Sequence, residues 1–352
     1  MLLVREVLSS GEPVRGVVLN NKVANVGVPG GLDDAKRLTG AIEQLSGAGS
    51  WLSLSTGVIG WRLPVERMMQ ELPALYEARR EAAGVELAEA IMTTDRYPKL
   101  RRVDLGEGSV LGIAKGAGMI EPNLATMLSV ILTDYDLPRD TLSELLRRSV
   151  AKSFNRIGVD GEQSTSDVVL LISSGVAGPI GKDRFADALE EVTGYLARHV
   201  VCNGEGTAHV VRVEVQGLAD REHSLYIARR VSNSPLVKSA IYGNDPNVGR
   251  ILMAVGDGLS DLGAEGSLED LSIGIDGTTV FEKGHFDLTP EKEKALSESL
   301  LASAMDPALK GYPQHEREVA ITVDFGGGTP GEVVYGSDLS YEYVRENADY
   351  RT

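Results

Sequence analysis

The sequence predicts an α+β protein in which helices cover mixed β-sheets. Apolar and polar residues alternate over residues 210–215, which is typical of a half-buried strand, whereas residues 185–200 have the apolar spacing of an amphipathic helix. Strand and helix patterns follow one another along the chain without strict alternation. A parallel doubly wound sheet requires that alternation, so we expect a layered αβ structure built on mixed sheets.

The first part of the chain contains predicted strands, loops and helices in turn. Residues 14–20 are a predicted strand, and the glycine- and proline-rich segment 21–31 is a predicted loop. A helix is expected next, with Asp33 or Asp34 as its N-cap. Residues 51–60 then predict a strand that ends in a turn rich in hydroxyl groups.

Two helices and a strand are predicted before the middle of the chain. Pro64 suits the first turn of a helix over residues 65–75. Residues 86–92 are helical by propensity, and Thr93–Asp95 favour the end of that helix or a turn. Residues 110–119 predict a strand that leads into a glycine-rich motif.

The second half of the chain also contains both predicted helices and predicted strands. Thr141 and Glu144 form a capping-box pattern at the start of a helix. Residues 234–258 combine two helical stretches around a polar loop. A short polar segment ends the sequence. The predicted strands of this half occupy residues 168–172, 210–215, 271–275 and 318–324.

Composition and charge exclude several classes of protein. The 352 residues are enough for one large domain or two, at ~150 residues per domain. A net charge of −16 argues against nucleic acid or an anionic membrane surface as a partner. Cys202 is the one cysteine, which excludes an internal disulfide and a cysteine-based zinc site. Because no stretch approaches the ~18 apolar residues of a membrane span and the first residues do not form a secretory signal, we expect a cytoplasmic protein.

The segment 115–134, KGAGMIEPNLATMLSVILTD, changes abruptly from a flexible turn to an apolar strand. Gly116 and Gly118 permit tight turns, and the apolar run begins after Ala125-Thr126. A hydroxyl group is therefore placed where a loop enters the core. On local pattern alone, a glycine-rich turn before a core strand is the simpler interpretation.

This motif resembles the self-cleavage motif of the ornithine acetyltransferase family, whose members are also called glutamate N-acetyltransferases. In that family the chain breaks between Ala and Thr, here Ala125 and Thr126, and the exposed Thr is the nucleophile. The resemblance implies an alpha chain of residues 1–125 and a beta chain of residues 126–352. It also implies the ornithine acetyltransferase/aminopeptidase-like fold, one version of the α+β class.

Cleavage would give Thr126 two roles at once. Its new α-amino group, with an ordinary pKa near ~7.7–8.0, lies within reach of its own hydroxyl and serves as the base. No catalytic histidine is then needed, and the five histidines are interpreted as surface or core residues. The segment STGVIG, residues 55–60, resembles a second signature of the family, which implies that the Thr56 hydroxyl and the Gly57 N–H form the oxyanion hole.

The resemblance also implies the residues that contact the substrate. Lys115 would pair with the substrate carboxylate and Glu205 with the ornithine amine. Each of these residues has a simpler interpretation when taken alone, as a solvated charge, a helix cap or a turn residue. Together they follow the family's order along the chain. The implied substrate contacts are Thr93, Lys115, Thr126, Glu205, Asn347 and Thr352.

Some positions depart from the family pattern. Leu124 replaces the usual Met, Val248 stands where Trp is usual, and His209 stands where Lys is common. The family's first short strands, which precede the part that corresponds to Leu2, are expected to be missing here. The segments 160–167 and 243–250 also resemble family segments, and we interpret them as structural supports around the site.

These observations predict an acyltransferase of arginine biosynthesis. The resemblance implies that it moves the acetyl group from N2-acetylornithine to glutamate through an acetyl-Thr126 intermediate, without a metal or cofactor, and that it forms a heterotetramer of two alpha and two beta chains. Acetyl-CoA is not an expected donor, since no CoA-phosphate loop is recognisable. The alternatives are a related acyltransferase or amidase acting on another N-acylated amino acid in specialised metabolism, and an inactive remnant.

Overall fold

The computed structural model of the chain describes residues 2–47, 49–81, 84–121, 127–264 and 269–349. Three sheets, two of them mixed, and their covering helices confirm the predicted α+β class. The helices are α1 (Leu2–Ser10), α2 (Gly31–Ser46), α3 (Val65–Glu77), α4 (Gly84–Ala90), α5 (Arg139–Lys152), α6 (Lys182–Cys202), α7 (Arg221–Asn233), α8 (Pro235–Tyr242), α9 (Val248–Asp261), α10 (Pro290–Leu301) and α11 (Tyr341–Ala348).

The strands form sheets of two, four and seven strands within the described residues. Every strand predicted from apolar alternation is present. The strands are β1 (Val14–Asn20), β2 (Ser50–Ser55), β3 (Lys99–Asp104), β4 (Ser109–Lys115), β5 (Leu128–Thr133), β6 (Ile157–Gly158), β7 (Val168–Ser173), β8 (Val210–Gln216), β9 (Ser272–Ile275), β10 (Thr278–Glu282), β11 (His285–Phe286), β12 (Val319–Asp324) and β13 (Glu332–Ser337).

The four-stranded sheet has the order β3-β4-β5-β7. β4 is antiparallel to β3 and β5, whereas β5 and β7 are parallel. The register pairs Lys115 with Leu128 and Leu128 with Val168, so the end of β4 lies beside the starts of β5 and β7. Polar residues that follow β4 or precede β5 and β7 are thereby brought to one edge of the sheet.

Both faces of this sheet are buried. Val110, Ala114 and Ile131 pack with α5 and α6. Residues on the opposite face, including Ile113 and Val130, pack with α1, β2 and α4. Strands that are buried on both faces have few polar positions, which explains why β5 and β7 are near-continuous apolar runs in the sequence.

The other two sheets carry the remaining parts of the site. β1 and β2 are parallel, and the turn after β2 continues beside the residues after β1 through a bridge between Val23 and Val58. The seven-stranded sheet has the order β11-β10-β9-β12-β8-β13-β6 and buries a valine- and isoleucine-rich core against α7 and α9. Its edge strand β6 leads directly into the segment 160–167.

Two predicted helix caps are wrong. α5 begins at Arg139 after Pro138, so Thr141 already lies inside the helix and makes no cap, while Glu144 pairs with Lys182 at 2.8 Å. The extended backbone of Pro138 sets the start of the helix earlier than the hydroxyl pattern indicates.

The N-terminus of α2 also differs from the prediction. Gly30 is its N-cap in the left-handed region, with φ 78°, and no side chain caps the helix. Asp34 is buried and accepts a hydrogen bond from Arg62 Nε at 2.8 Å. The Arg62 guanidinium holds the pKa of that carboxyl below its ordinary value. Asp34 therefore joins α2 to the segment before α3 instead of capping its own helix.

α6 lies unusually close to the four-stranded sheet at Gly112. A Cβ atom at this position would lie 2.4 Å from Val192 Cγ1 and 2.7 Å from Leu196 Cδ1. Both side chains are fully buried, so the helix must move away if the glycine is replaced. Close packing of α6 therefore depends on glycine at this point of β4.

We expect Gly112→Ala to lower the free energy of unfolding by about 1–3 kcal/mol, because the added methyl group overpacks the core. The matched control is Gly194→Ala on α6, where a Cβ meets no atom within 4 Å. That change should be neutral or stabilising by about 0.5–1 kcal/mol, since alanine is the better helix former. Denaturant unfolding of both variants measures the difference, and equal stabilities would contradict this packing argument.

Candidate active site

One cleft of about 300 Å³ collects every predicted site residue that the structure describes. Met127, the residue after Thr126, lines the same cleft. Ala125, Thr126 and Thr352 lie outside the described residues, so their positions stay predictions. The predicted residues that line the cleft are Thr56, Gly57, Thr93, Lys115, Glu205 and Asn347.

The turn after β2 places Gly57 on the cleft lining. The N–H groups of Thr56 and Val58 donate to the carbonyls of Asn20 and Lys22, each at 2.9 Å. Between them, the Gly57 N–H has no acceptor among the described residues. Gly57 has φ 130°, and a Cβ there would lie 2.1 Å from the Lys22 carbonyl carbon, so the turn requires glycine.

Lys115 ends β4 and supplies a cation in the cleft. Its Nζ donates to Thr56 Oγ1 at 3.2 Å, which joins the two-stranded and four-stranded sheets at the site. Burial lowers the pKa of Lys115, although the carboxylates of Asp95, Asp167 and Glu205 act in the opposite direction. The side chain thus lies where a carboxylate ligand would gain a partly desolvated partner.

The buried carboxylate of Asp95 lies beneath this lysine. Asp95 forms an ion pair with Lys99, and both side chains are fully buried. It also accepts hydrogen bonds from the N–H groups of Gly116 at 2.8 Å and Thr93 at 2.9 Å. Burial works to raise the pKa of Asp95, but Lys99 and Lys115 outweigh it and hold the pKa below its ordinary value.

Asp95 and Lys99 were not recognised as site residues from the sequence. Asp95 was predicted only as a turn residue after a helix, and β3 was not predicted at all. The segment KLRRVD of β3 carries charged residues at four of its positions, which hides its alternation. An aspartate four residues before a lysine was the one available signal, and it does not reveal that both side chains are buried.

Glu205 and Asn347 also line the cleft. Glu205 follows α6, and its N–H donates to the Ala117 carbonyl at 2.7 Å. Its carboxylate accepts a hydrogen bond from Asn347 Nδ2 at 2.9 Å. Gly118 makes room for this carboxylate, because a Cβ there would lie 2.2 Å from Glu205 Oε2. α11 therefore places Asn347 against Glu205, although the sequence pattern predicts a short polar segment and no helix here.

The segment 160–167 contributes to the cleft, whereas the segment 243–250 does not. Ser164, Ser166 and Asp167 are among the residues that line the cleft. Asn247 instead caps α9 by accepting from the Arg250 N–H at 3.2 Å. The first segment thus lines the site as expected. The second supports a helix and is not among the residues that line the cleft, so the expectation that it lies around the site is wrong.

The histidines lie away from the cleft lining in the described part of the chain. His209, which stands where the family often has Lys, is buried and bonded to Asp338 at 2.7 Å and to the Leu300 carbonyl at 3.1 Å. His199 contacts the Tyr97 hydroxyl at 3.2 Å and stacks on Tyr195. Both are core residues with partners, as interpreted from the sequence.

Metal and membrane features were sought in the same described ranges. No group of three or more His, Cys, Asp or Glu side chains in them could hold a metal ion. None of the helices in these ranges is both long and apolar enough to cross a membrane.

Comparison with known proteins decides the family. The model of the ArgJ family matches residues 1–352, the whole sequence. The chain belongs to the ArgJ family. The arginine biosynthesis bifunctional protein ArgJ of Deinococcus radiodurans is 37% identical over 99% of this chain and 85% of its own length. Glutamate N-acetyltransferase Oat2 of Streptomyces clavuligerus is 35% identical over 100% of this chain and 86% of its own.

A solved structure agrees with this assignment to the ArgJ family. The crystal structure of arginine biosynthesis bifunctional protein ArgJ from Bacillus halodurans matches with a TM-score of 0.54 and 30% identity, covering 63% of this chain and 98% of that chain. The family resemblance and the predicted enzyme class, an acyltransferase of arginine biosynthesis, are confirmed at this level. The roles of the individual site residues stay predictions.

We expect Lys99→Met to lower the free energy of unfolding by about 3–5 kcal/mol, because it leaves the buried Asp95 carboxylate without its closest cation. Lys182→Met is the matched control, since Lys182 pairs with Glu144 at the surface. Exposed ion pairs contribute little, so this control should change stability far less. Urea unfolding of both variants tests the comparison; a small effect of Lys99→Met would show that Asp95 is satisfied without it.

Proposed function

We propose that the chain is a self-cleaving glutamate N-acetyltransferase that moves the acetyl group from N2-acetylornithine to glutamate. One observation carries the proposal: the cleft beside Met127 combines a Gly57 N–H that has no acceptor in the described part of the chain, the Lys115 cation and the Glu205 carboxylate. An N-acetylated amino acid with a second amine needs these three partners around its amide. The names of the relatives support the same activity, since one is a glutamate N-acetyltransferase and the others are arginine biosynthesis proteins.

Self-cleavage would prepare the nucleophile. Thr126 Oγ attacks the carbonyl carbon of Ala125, the C–N bond breaks, and the nitrogen takes the proton to become the α-amino group. Water then hydrolyses the resulting ester, which leaves a carboxylate on Ala125 and a free hydroxyl on Thr126. The products are the alpha chain, residues 1–125, and the beta chain, residues 126–352. The beta chain would be about 64% of the sequence, a share similar to that covered by the Bacillus halodurans crystal chain.

Acetyl transfer would follow in two half-reactions. The α-amino group of Thr126 accepts the hydroxyl proton while Oγ attacks the acetyl carbonyl carbon, and ornithine leaves with that proton on its α-nitrogen. The amine of glutamate then attacks the acetyl ester, and the Thr126 hydroxyl is restored. Each tetrahedral intermediate carries an oxyanion, which the Gly57 N–H and the Thr56 hydroxyl would stabilise.

The hydrogen bond from Lys115 gives Thr56 a defined role in this scheme. Lys115 Nζ donates to Thr56 Oγ1, so that oxygen is already an acceptor and its own O–H is directed to another partner. An oxyanion beside the Gly57 N–H would be that partner. Lys115 would then assist the oxyanion hole as well as pair with the substrate carboxylate.

Substrate recognition would use the two charges that line the cleft. Lys115 pairs with the α-carboxylate of acetylornithine, and Glu205 pairs with the side-chain amine. Asn347 holds the Glu205 carboxylate by its hydrogen bond of 2.9 Å, and Thr93 lines the same cleft. By the family resemblance, we also propose a Thr352 contact, a heterotetramer of two alpha and two beta chains, and a cytoplasmic location.

We expect Thr126→Ala to remain a single chain without acetyltransferase activity, because the hydroxyl that attacks Ala125 is missing. Thr126→Ser keeps a hydroxyl and should still cleave. The intact mass of each protein under denaturing conditions measures cleavage, and ornithine release measures turnover. Cleavage between residues 125 and 126 that persists in Thr126→Ala would refute the assignment.

We expect Glu205→Gln to lower kcat/KM for N2-acetylornithine by about 10- to 100-fold, the effect of losing one charged hydrogen bond. The loss should appear mainly in KM, and cleavage should proceed as in the wild type. Glu144→Gln is the control, since Glu144 lies at the surface and pairs with Lys182. An unchanged KM in Glu205→Gln would mean that another group binds the side-chain amine.

Assays that omit one substrate distinguish the proposed acetyl transfer from the alternative functions. A transferase should release ornithine from acetylornithine only when glutamate is present, whereas an amidase would do so in water alone. Replacing acetylornithine by acetyl-CoA should give no acetylglutamate. Mass spectrometry detects the acetyl-enzyme as one acetyl group added to the beta chain. An inactive remnant would not gain this group.

A further inference from the structure

Asp160 binds the segment that leads to the predicted cleavage point. It follows β6, and its carboxylate accepts hydrogen bonds from the N–H groups of Met119 at 2.6 Å and Ile120 at 2.7 Å. The Tyr343 hydroxyl of α11 donates to the same carboxylate at 3.2 Å. A single side chain thus fixes two consecutive backbone groups of this segment.

Backbone hydrogen bonds extend this contact on both sides. The Val159 N–H donates to the Ile120 carbonyl at 2.7 Å, and the Glu121 N–H donates to the Glu162 carbonyl at 2.9 Å. On the far side of the predicted cleavage point, the Val168 N–H donates to the Met127 carbonyl at 2.9 Å. The described residues on both sides of 122–126 are therefore bonded to one continuous stretch, residues 159–168.

The backbone of Met119 shows what the carboxylate stabilises. Met119 has φ 56°, in the left-handed region that residues other than glycine rarely adopt. Hydrogen bonds to a charged acceptor are stronger than those between neutral groups, and two of them act on this turn. Without them, the segment would relax toward more ordinary backbone angles and its direction would change.

We propose that Asp160 is a positioning residue for self-cleavage. The inference rests on the proposed function, in which Thr126 Oγ attacks the Ala125 carbonyl carbon. Intramolecular attack is fast only when the reacting atoms are held about 3–3.5 Å apart, and small displacements slow it strongly. Asp160 acts through the backbone of Met119 and Ile120, and it is not among the described residues that line the cleft.

This role predicts different effects on self-cleavage and on acetyl transfer. Once the chain is cut, the two ends no longer share a bond that must be held for attack. Loss of Asp160 should therefore slow the formation of the two chains much more than it slows acetyl transfer by protein that has already been cut. A purely structural role would instead lower both in proportion to the folded fraction.

The experiment follows cleavage in newly made protein. Wild type, Asp160→Asn and Asp160→Ala are synthesised in a cell-free system, sampled over time, denatured, and weighed by mass spectrometry for the uncut fraction. We expect the half-time of cleavage to lengthen at least tenfold in Asp160→Asn and further in Asp160→Ala, which lacks any acceptor.

Asp276→Asn is the matched control. Asp276, like Asp160, is half-buried. Its carboxylate accepts hydrogen bonds from the Ala320 N–H at 2.8 Å and from the Ser299 hydroxyl at 2.7 Å. It lies at the turn between β9 and β10, away from the segment that leads to the predicted cleavage point. Its cleavage half-time should stay within twofold of wild type. Tyr343→Phe, which removes only the α11 contact to Asp160, should also cleave at the wild-type rate.

Thermal unfolding and the kcat/KM of cut protein complete the test. Cleavage of Asp160→Asn at the wild-type rate would overturn the inference while leaving the proposed function intact. The inference would also be overturned if Asp276→Asn slowed cleavage as much as Asp160→Asn does, or if a smaller folded fraction accounted for the slower cleavage of Asp160→Asn. Wild-type protein that never cleaves would instead refute the proposed function itself.

Discussion

The ion pair between Asp95 and Lys99 is the interaction on which the site depends. Its two charges are fully buried, which is costly unless further hydrogen bonds satisfy them. The N–H groups of Thr93 and Gly116 supply those bonds, and Asn203 Nδ2 lies 3.5 Å from the same carboxylate. One carboxylate therefore joins the turn after α4, the start of β3, the glycine turn after β4 and the end of α6.

This junction sets the position of the charges above it. Lys115 precedes Gly116, so the bond between Gly116 and Asp95 fixes the end of β4 from which the lysine reaches Thr56. Glu205 is tied to the next residue of the same turn through the Ala117 carbonyl. Cation and anion consequently both line a single cleft, an arrangement suited to a ligand that carries both charges.

Sequence reasoning succeeded where the information is local and failed where packing decides. The strands at residues 14–20, 168–172 and 210–215 were predicted because alternation or a continuous apolar run reports burial directly. β3 was missed because charged residues obscure its alternation. The capping box at Thr141 was wrong because capping depends on where the helix starts, and Pro138 sets that start.

The sequence by itself determined the fold class, the family and the side chains available for chemistry. Those are properties of residue types and their order, such as a hydroxyl after a glycine-rich turn or a glycine where a backbone must come close. Only the tertiary structure decided that Asp95 lies buried beneath Lys115 and that Asp160 holds Met119 and Ile120. Such contacts join segments far apart in the chain. Two properties determine which contacts form: the register of the strands and the desolvation of buried charges. Neither property is local in the sequence.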